Sequence, residues 1–268
     1  MQRLALFDLD NTLVDRQEAF AAWVAEFAAE RGLGSDAVAW LTAADDGGRG
    51  PRDEFFDRVH HHFGLVESAV ELWAAYRARM PELVRCDPAV LVGLEQLREA
   101  GWRVGIVSNG MADNQLMKIR RAGLEERVDA SCVSGEVGIR KPDVGIFRLA
   151  AQRCGTTLAA GGWMVGDNPE HDIAGGRAAG LRTAWIGRDS EWSAHQPQPD
   201  ETVTDAAAAI SLLLDEPWHE PAPQGGMRQC EPVPTGTLDA TAADRASGVD
   251  STSQGHDHRP FPRPGVSS

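Results

Sequence analysis

A chain of 268 residues with 42% hydrophobic content has material for one sizeable α/β domain plus an insert. Its net charge of −14 argues against non-specific binding to nucleic acid or anionic membrane, so an anionic ligand must be drawn in locally by a metal or a few basic side chains. No run approaches the roughly 20 apolar residues of a membrane-spanning helix, and the four cysteines, Cys86, Cys132, Cys154 and Cys230, show no C-x-x-C spacing and read as free thiols of a reducing cytoplasm.

The first strand starts within two residues of Met1, which leaves no space for a signal peptide. Leu4-Ala5-Leu6-Phe7 is an apolar run suited to a buried strand, and Asp8 and Asp10 stand at its carboxyl end. Ligands of open α/β sheets bind at that end. After Val14 the pattern turns helical. Phe20, Trp23, Val24 and Phe27 recur at three- and four-residue spacings and predict a helix ending near Gly32. Ser35 is the expected N-cap of a shorter helix carrying Val38 and Leu41, followed by a polar, glycine-rich loop from Asp45 to Arg52. A third helix carries Phe55, Phe56, Val59 and Phe63 and stops at Gly64; a fourth carries Val70, Leu72, Trp73 and Tyr76 and stops at Pro81. Residues 15–84 thus read as a small all-helical insert between two strands.

Asp87 caps the next helix, with Pro88 at its first position and Gly101 at its end. Strand two is Trp102–Val107, then Ser108-Asn109-Gly110 and a helix closing at Gly123. Strand three lies near residues 128–133, and a loop with Arg140-Lys141-Pro142 leads to a helix carrying Ile146, Phe147 and Leu149. Strand four is Gly162–Val165, followed by Gly166-Asp167-Asn168-Pro169-Glu170-His171-Asp172 and a small helix ending at Gly180. Strand five is Thr183–Ile186, and a weak strand near 202–204 with a helix to about Leu214 completes the domain. This alternation predicts a doubly wound parallel sheet, with the core in residues 1–14 and 85–215. Residues 216–268 are rich in Pro, Gly, Ser, Thr and Asp and read as a disordered tail.

Each polar group at the strand ends has an ordinary explanation when taken alone: turn former, helix cap or solvated lysine. Together they form an ordered set. Asp-Leu-Asp-Asn-Thr at residues 8–12, Ser108-Asn109, Lys141-Pro142 and the Asp167/Asp172 pair resemble the four motifs of the haloacid dehalogenase-like hydrolase superfamily, in identity, order and strand context. The resemblance covers residues 4 to about 187. It implies a Rossmann-like core and a helical cap inserted after the first motif. It also implies that Asp8 is a nucleophile forming an aspartyl-phosphate, and that Asp10 is the general acid/base. Mg²⁺ would be held by Asp8, the Asp10 carbonyl and Asp167, with Asp172 behind, orienting Lys141 or a metal-bound water. Ser108, Asn109 and Lys141 would bind the substrate phosphate, Thr12 would supply a structural or phosphate-side hydroxyl, and the cap would contact the leaving group.

The expected activity is Mg²⁺-dependent hydrolysis of a small phosphorylated metabolite. Asp10 disfavours a carbon–halogen hydrolase, which generally lacks that second acid. The insert contains no lysine, which disfavours a Schiff-base phosphonate hydrolase. A sugar-phosphate mutase shares every motif, but usually shows Val after D-x-D-G where this chain has Asn11-Thr12. Within the cap, Arg49 and Arg52 are candidate contacts to an anionic leaving group. His60, His61 and His62 are consecutive, and helical metal pairs need spacings of three or four, so no metal site is read there.

Overall fold

The computed structural model describes residues 3–48, 50–187, 192 and 197–216. Its centre is a sheet of six parallel strands: β1 (Arg3–Phe7), β2 (Trp102–Ser108), β3 (Ala130–Val133), β4 (Trp163–Gly166), β5 (Arg182–Ile186) and β6 (Glu201–Val203). They lie in the order β3-β2-β1-β4-β5-β6. The chain runs outward from β1 through β2 to β3, then returns to β4 on the other flank, so β1 lies at the topological switch where open α/β sheets place their ligands.

Alternation along β1 divides the core. Leu4 and Leu6 pack with Ile146, Phe147 and Met164 on one face, and Ala5 and Phe7 with Leu94, Leu97 and Ile210 on the other. All four β1 residues from Leu4 to Phe7 are fully buried, which explains the unbroken apolar run. Helices α5 (Pro88–Glu99), α6 (Ala112–Arg121), α7 (Ser134–Val137), α8 (Val144–Arg153), α9 (Gly175–Ala178) and α10 (Ala206–Asp215) connect or follow the strands. Asp87 caps α5 through Ala89 N–H at 2.8 Å, with Pro88 in its first turn. Replacing Phe7 by Ala would cost about 3–5 kcal/mol, since its whole ring is buried.

Between β1 and α5 the main elements of the described residues are helices, α1 (Arg16–Glu30), α2 (Ser35–Asp45), α3 (Arg52–Phe63) and α4 (Ala69–Leu83). Phe20, Trp23, Phe27, Phe55, Phe56 and Tyr76 interlock edge-on and tilted, with Trp23 and Tyr76 centroids 5.0 Å apart. Those aromatics are this insert's core.

Three boundaries differ from expectation. The N-cap of α2 is Gly34, which offers no side-chain bond, and Ser35 is already helical. The expected loop from Asp45 to Arg52 is shorter, because Asp45 ends α2, a tight turn covers Asp46–Gly48 and Arg52 opens α3. Pro81 lies inside α4, not at its end. A proline cannot bond the carbonyl four residues back. That carbonyl, of Arg77, instead accepts from Asn114 Nδ2 on α6 at 2.8 Å. The sequence-based tail, 216–268, lies outside the described residues except for Glu216, which accepts from Trp163 Nε1 at 2.8 Å and pairs with Arg182.

Asn114 is buried, and its amide replaces the bond that Pro81 forgoes. Asn114→Leu should therefore lower the unfolding free energy by about 1–3 kcal/mol in denaturant titrations; unchanged stability would show that the Arg77 carbonyl is satisfied another way.

Candidate active site

The carboxyl ends of β1, β2 and β4 and the loop after β3 open into one cavity of about 830 Å³. Asp8, Asp10, Ser108, Asn109, Lys141, Asp167 and Asp172 all line it, so residues up to 164 positions apart in the chain meet at one edge of the sheet. Thr12 is buried but does not line it. Arg49 lies outside the described residues.

At the floor, Lys141 Nζ donates to Asp8 Oδ1 at 2.5 Å and Asp172 Oδ1 at 2.7 Å. All three groups are buried, Asp172 and Lys141 at 0% and 2% exposure. Burial disfavours the lysine's charge, but the two carboxylates outweigh it and raise its pKa. Asp8 is raised well above the ordinary carboxylate range, first by burial and then by crowding from Asp172 and Asp167, despite Lys141. Burial and Asp172 push Asp167 up to about 6, while the Asn11 side chain and Lys141 pull the other way. Asp172 also accepts Asn168 N–H at 2.9 Å. A Cβ at position 166 would come within 2.2 Å of its carboxylate, so only glycine there admits Asp172.

One oxygen each of Asp8, Asp167 and Asp172 fall within 4.8 Å of one another. Lys141 bonds two of these three carboxylates, and burial together with their mutual repulsion raises the pKa of Asp8 and Asp167. An all-oxygen, over-acidic cluster of this kind suits a hard divalent cation such as Mg²⁺. Asp10 is not part of the cluster through its side chain.

Asp10 turns toward α6. Lys118 Nζ bonds its two oxygens at 2.7 and 3.0 Å, and Gln115 Nε2 donates to Oδ2 at 2.8 Å. Burial works against its charge, but Lys118, Gln115 and Arg16 prevail, and its pKa lies below the usual range. Gln115 Nε2 also reaches Ser108 Oγ, at 2.7 Å. The Asn109 amide, expected at the phosphate, bonds the main chain of Lys141 in both directions, at 2.9 and 3.0 Å. Asn109 thereby holds the loop that carries Lys141. Met111 at the start of α6 offers no side-chain cap, and Asp113 Oδ1 takes the Asn114 N–H at 2.9 Å, which leaves the Ala112 and Asp113 amides for an anion.

The roof comes from the helical insert. Arg16 is buried and forms a fork on Asp45, 2.7 Å on each oxygen, and Arg52 shares Asp45 at 2.5 Å. Arg16 and Arg52 line the cavity wall with Trp73, Tyr76 and Arg77, and Asp46 and Asp53 lie on the same wall. A Cβ at Gly48, where φ is +86°, would lie 2.7 Å from the Arg16 guanidinium, so the glycine-rich turn lets the backbone close on it.

Sequence reading missed Gln115, Lys118, Arg16 and Asp45. The sign for the first two was an inverted helix: on α6, Gln115 and Lys118 are buried while Leu116 and Met117 are 37% exposed. Arg16 and Asp45 carried no spacing signal, being 29 residues apart.

The family model for haloacid dehalogenase-like hydrolases matches residues 2–180, and the chain belongs to that family. Among its relatives is a phosphoserine phosphatase of Thermus thermophilus, 36% identical over 154 residues, with 56% of this chain and 60% of that protein aligned. The chain thus spans under two thirds of that relative's length. A ribulose-1,5-bisphosphate 5-phosphatase of Halopiger xanaduensis is 32% identical, over 79% of this chain and 95% of that one. In fold, the chain is similar to the putative hydrolase YfnB of Bacillus subtilis, solved bound to magnesium, with a TM-score of 0.64, 24% identity and coverage of 80% and 99%.

The raised pKa of Asp167 carries a stability consequence. Its proton is held to about pH 6 in the folded chain, against 3.8 ordinarily, so its favourable contribution is complete below pH 3.8 and is lost as pH rises through 6. A divalent cation binds the charged form. Mg²⁺ should therefore raise the melting temperature markedly above pH 6 and little near pH 4; an equal shift at both would place the metal elsewhere.

Proposed function

We propose that the chain is a Mg²⁺-dependent phosphomonoester hydrolase for a small phosphorylated metabolite. The observation that carries this is the meeting of Asp8 and Asp10 in one cavity with Lys141, Asp167 and Asp172. A carboxylate approaching a phosphate ester is repelled by roughly 4 kcal/mol per unit-charge pair at about 4 Å and an effective dielectric near 20. Lys141 offsets part of that at the nucleophile itself. Mg²⁺ held by Asp8, Asp167 and the Asp10 carbonyl would supply further charge neutralisation at the phosphoryl oxygens.

In the first half-reaction an Asp8 oxygen bonds phosphorus as the ester P–O bond breaks. The bonding pair stays on the leaving oxygen, which takes a proton from Asp10. In the second, Asp10 takes a proton from water, the water oxygen bonds phosphorus and Asp8 leaves as a carboxylate. The free enzyme holds Asp10 ionised through Lys118, the form that receives the water proton. An incoming phosphate dianion raises its proton affinity, the form that donates. The Ser108 hydroxyl and the first amides of α6 receive the phosphoryl oxygens.

The core is residues 1–14 and 85–215, and residues 15–84 act as a cap that excludes bulk water from the acyl phosphate. On its roof, Arg52 and Arg16 are the candidate contacts to a leaving group that carries negative charge of its own. Phosphate-ester names among the relatives agree with the reaction class.

Inorganic phosphate release should require Mg²⁺ and fall at least a thousandfold, as an order of magnitude, in Asp8→Asn. Robust turnover by that variant would overturn the reading, and metal-independent halide release would point to a carbon–halogen hydrolase. Arg52→Ala should raise KM for dianionic substrates about ten- to hundredfold with little change in kcat; an unchanged KM across a phosphate-ester panel would remove the cap arginine from substrate contact.

A further inference from the structure

The cavity holds two lysine–aspartate assemblies. The first, Lys141 with Asp8 and Asp172, belongs to the nucleophile. The second, Lys118 with Asp10, enters the chemistry above only as the pairing that keeps Asp10 ionised in the free enzyme. Lys118 is 3% exposed, and among the described residues its hydrogen bonds go to Asp10 alone. Shutting an ammonium away from water against a partly exposed carboxylate is a poor source of stability, because desolvation opposes the attraction. The packing of α6 does not call for it either: Ile119, Ala122 and Asn114 secure that helix. The pair lines the cavity, where it can act on a substrate.

A carboxylate offers about four acceptor positions. On Asp10, Lys118 takes one on each oxygen and Gln115 takes a second on Oδ2. That leaves one position, on Oδ1. Gln115 is itself fixed, by Ser108 Oγ on one side and by Gly110 on the other, where a Cβ would lie 2.8 Å from its Cγ. Lys118 and Gln115 stand one turn apart on α6, and since Gln115 also bonds Ser108 the two tie Asp10 to the end of β2.

We propose that Lys118, supported by Gln115, is the positioning residue that presents Asp10 Oδ1 to the leaving-group oxygen. This rests on the reading of Asp10 as the group that protonates that oxygen. As the ester bond breaks, the Asp10 proton passes to the departing alkoxide, and the carboxylate left behind stays on Lys118. A leaving group that departs as a stable anion, such as 4-nitrophenolate, needs that proton little; an alkoxide needs it fully.

The test compares kcat/KM, which ends at the first irreversible step, for an alkyl phosphate and 4-nitrophenyl phosphate in wild type, Lys118→Met, Lys118→Arg and Gln115→Met. The ratio of alkyl to aryl kcat/KM should fall about ten- to hundredfold in Lys118→Met, a share of what a general acid contributes. It should fall in the same direction in Gln115→Met and recover in part in Lys118→Arg. A merely structural role would lower both substrates together and leave the ratio at the wild-type value, which would overturn the proposal. Gln115→Met keeps the test decisive if Lys118→Met does not fold. Wild type that is active and dependent on Asp8, with an unchanged ratio in the variants, refutes this inference alone. Wild type without Asp8-dependent phosphatase activity refutes the underlying reading as well.

Discussion

Lys141 stands between Asp8 and Asp172, and all three are shut away from water. Removing the ammonium would leave two carboxylates buried against each other, a loss of several kcal/mol in comparable buried pairs. Much of the surrounding sequence serves this contact. Asn109 clamps the Lys141 main chain, Gly166 clears space for Asp172 and Asn168 bonds its second oxygen. Burial and this crowding raise the pKa of Asp8 and Asp167, and three carboxylates set this close form a group that could hold a divalent cation.

The sheet order is what allows such a cluster. With β2 on one side of β1 and β4 on the other, acids from strands one and four and the lysine loop after strand three converge, although they are far apart in the chain. The helical insert closes the opposite side. Its link to the core is partly made of a defect: Pro81 frees a carbonyl that Asn114 of α6 takes up. Helix α6 thus touches the insert through Asn114 and the site through Gln115 and Lys118.

The parallel sheet, its strand limits within a residue or two and the convergence of Asp8, Ser108, Lys141, Asp167 and Asp172 were legible in the sequence. Apolar runs ending in acids and Gly-punctuated helices report directly on backbone periodicity. The rest depended on partners that periodicity does not show. Ser35 has the right chemistry for a cap, yet Gly34 takes the position because the chain enters α2 one residue earlier. Pro81 signals a stop only when the orphaned carbonyl has no donor, and the donor lies 37 residues away. Arg52 reads only as a candidate leaving-group contact until Asp45 is seen to be buried beneath it, and Asn109 reads as a phosphate donor until its amide is found on Lys141. Lys118 could have been suspected from the apolar residues that α6 turns outward.

In the proposed reaction Asp8 forms a covalent bond to phosphorus. Acid quenching during turnover, followed by mass spectrometry of the peptide containing Asp8, tests it most directly. One phosphoryl group on Asp8 in the wild type, absent in Asp8→Asn, is the predicted result. Turnover with a phosphoryl group on another residue, or undiminished turnover in Asp8→Asn, would contradict it.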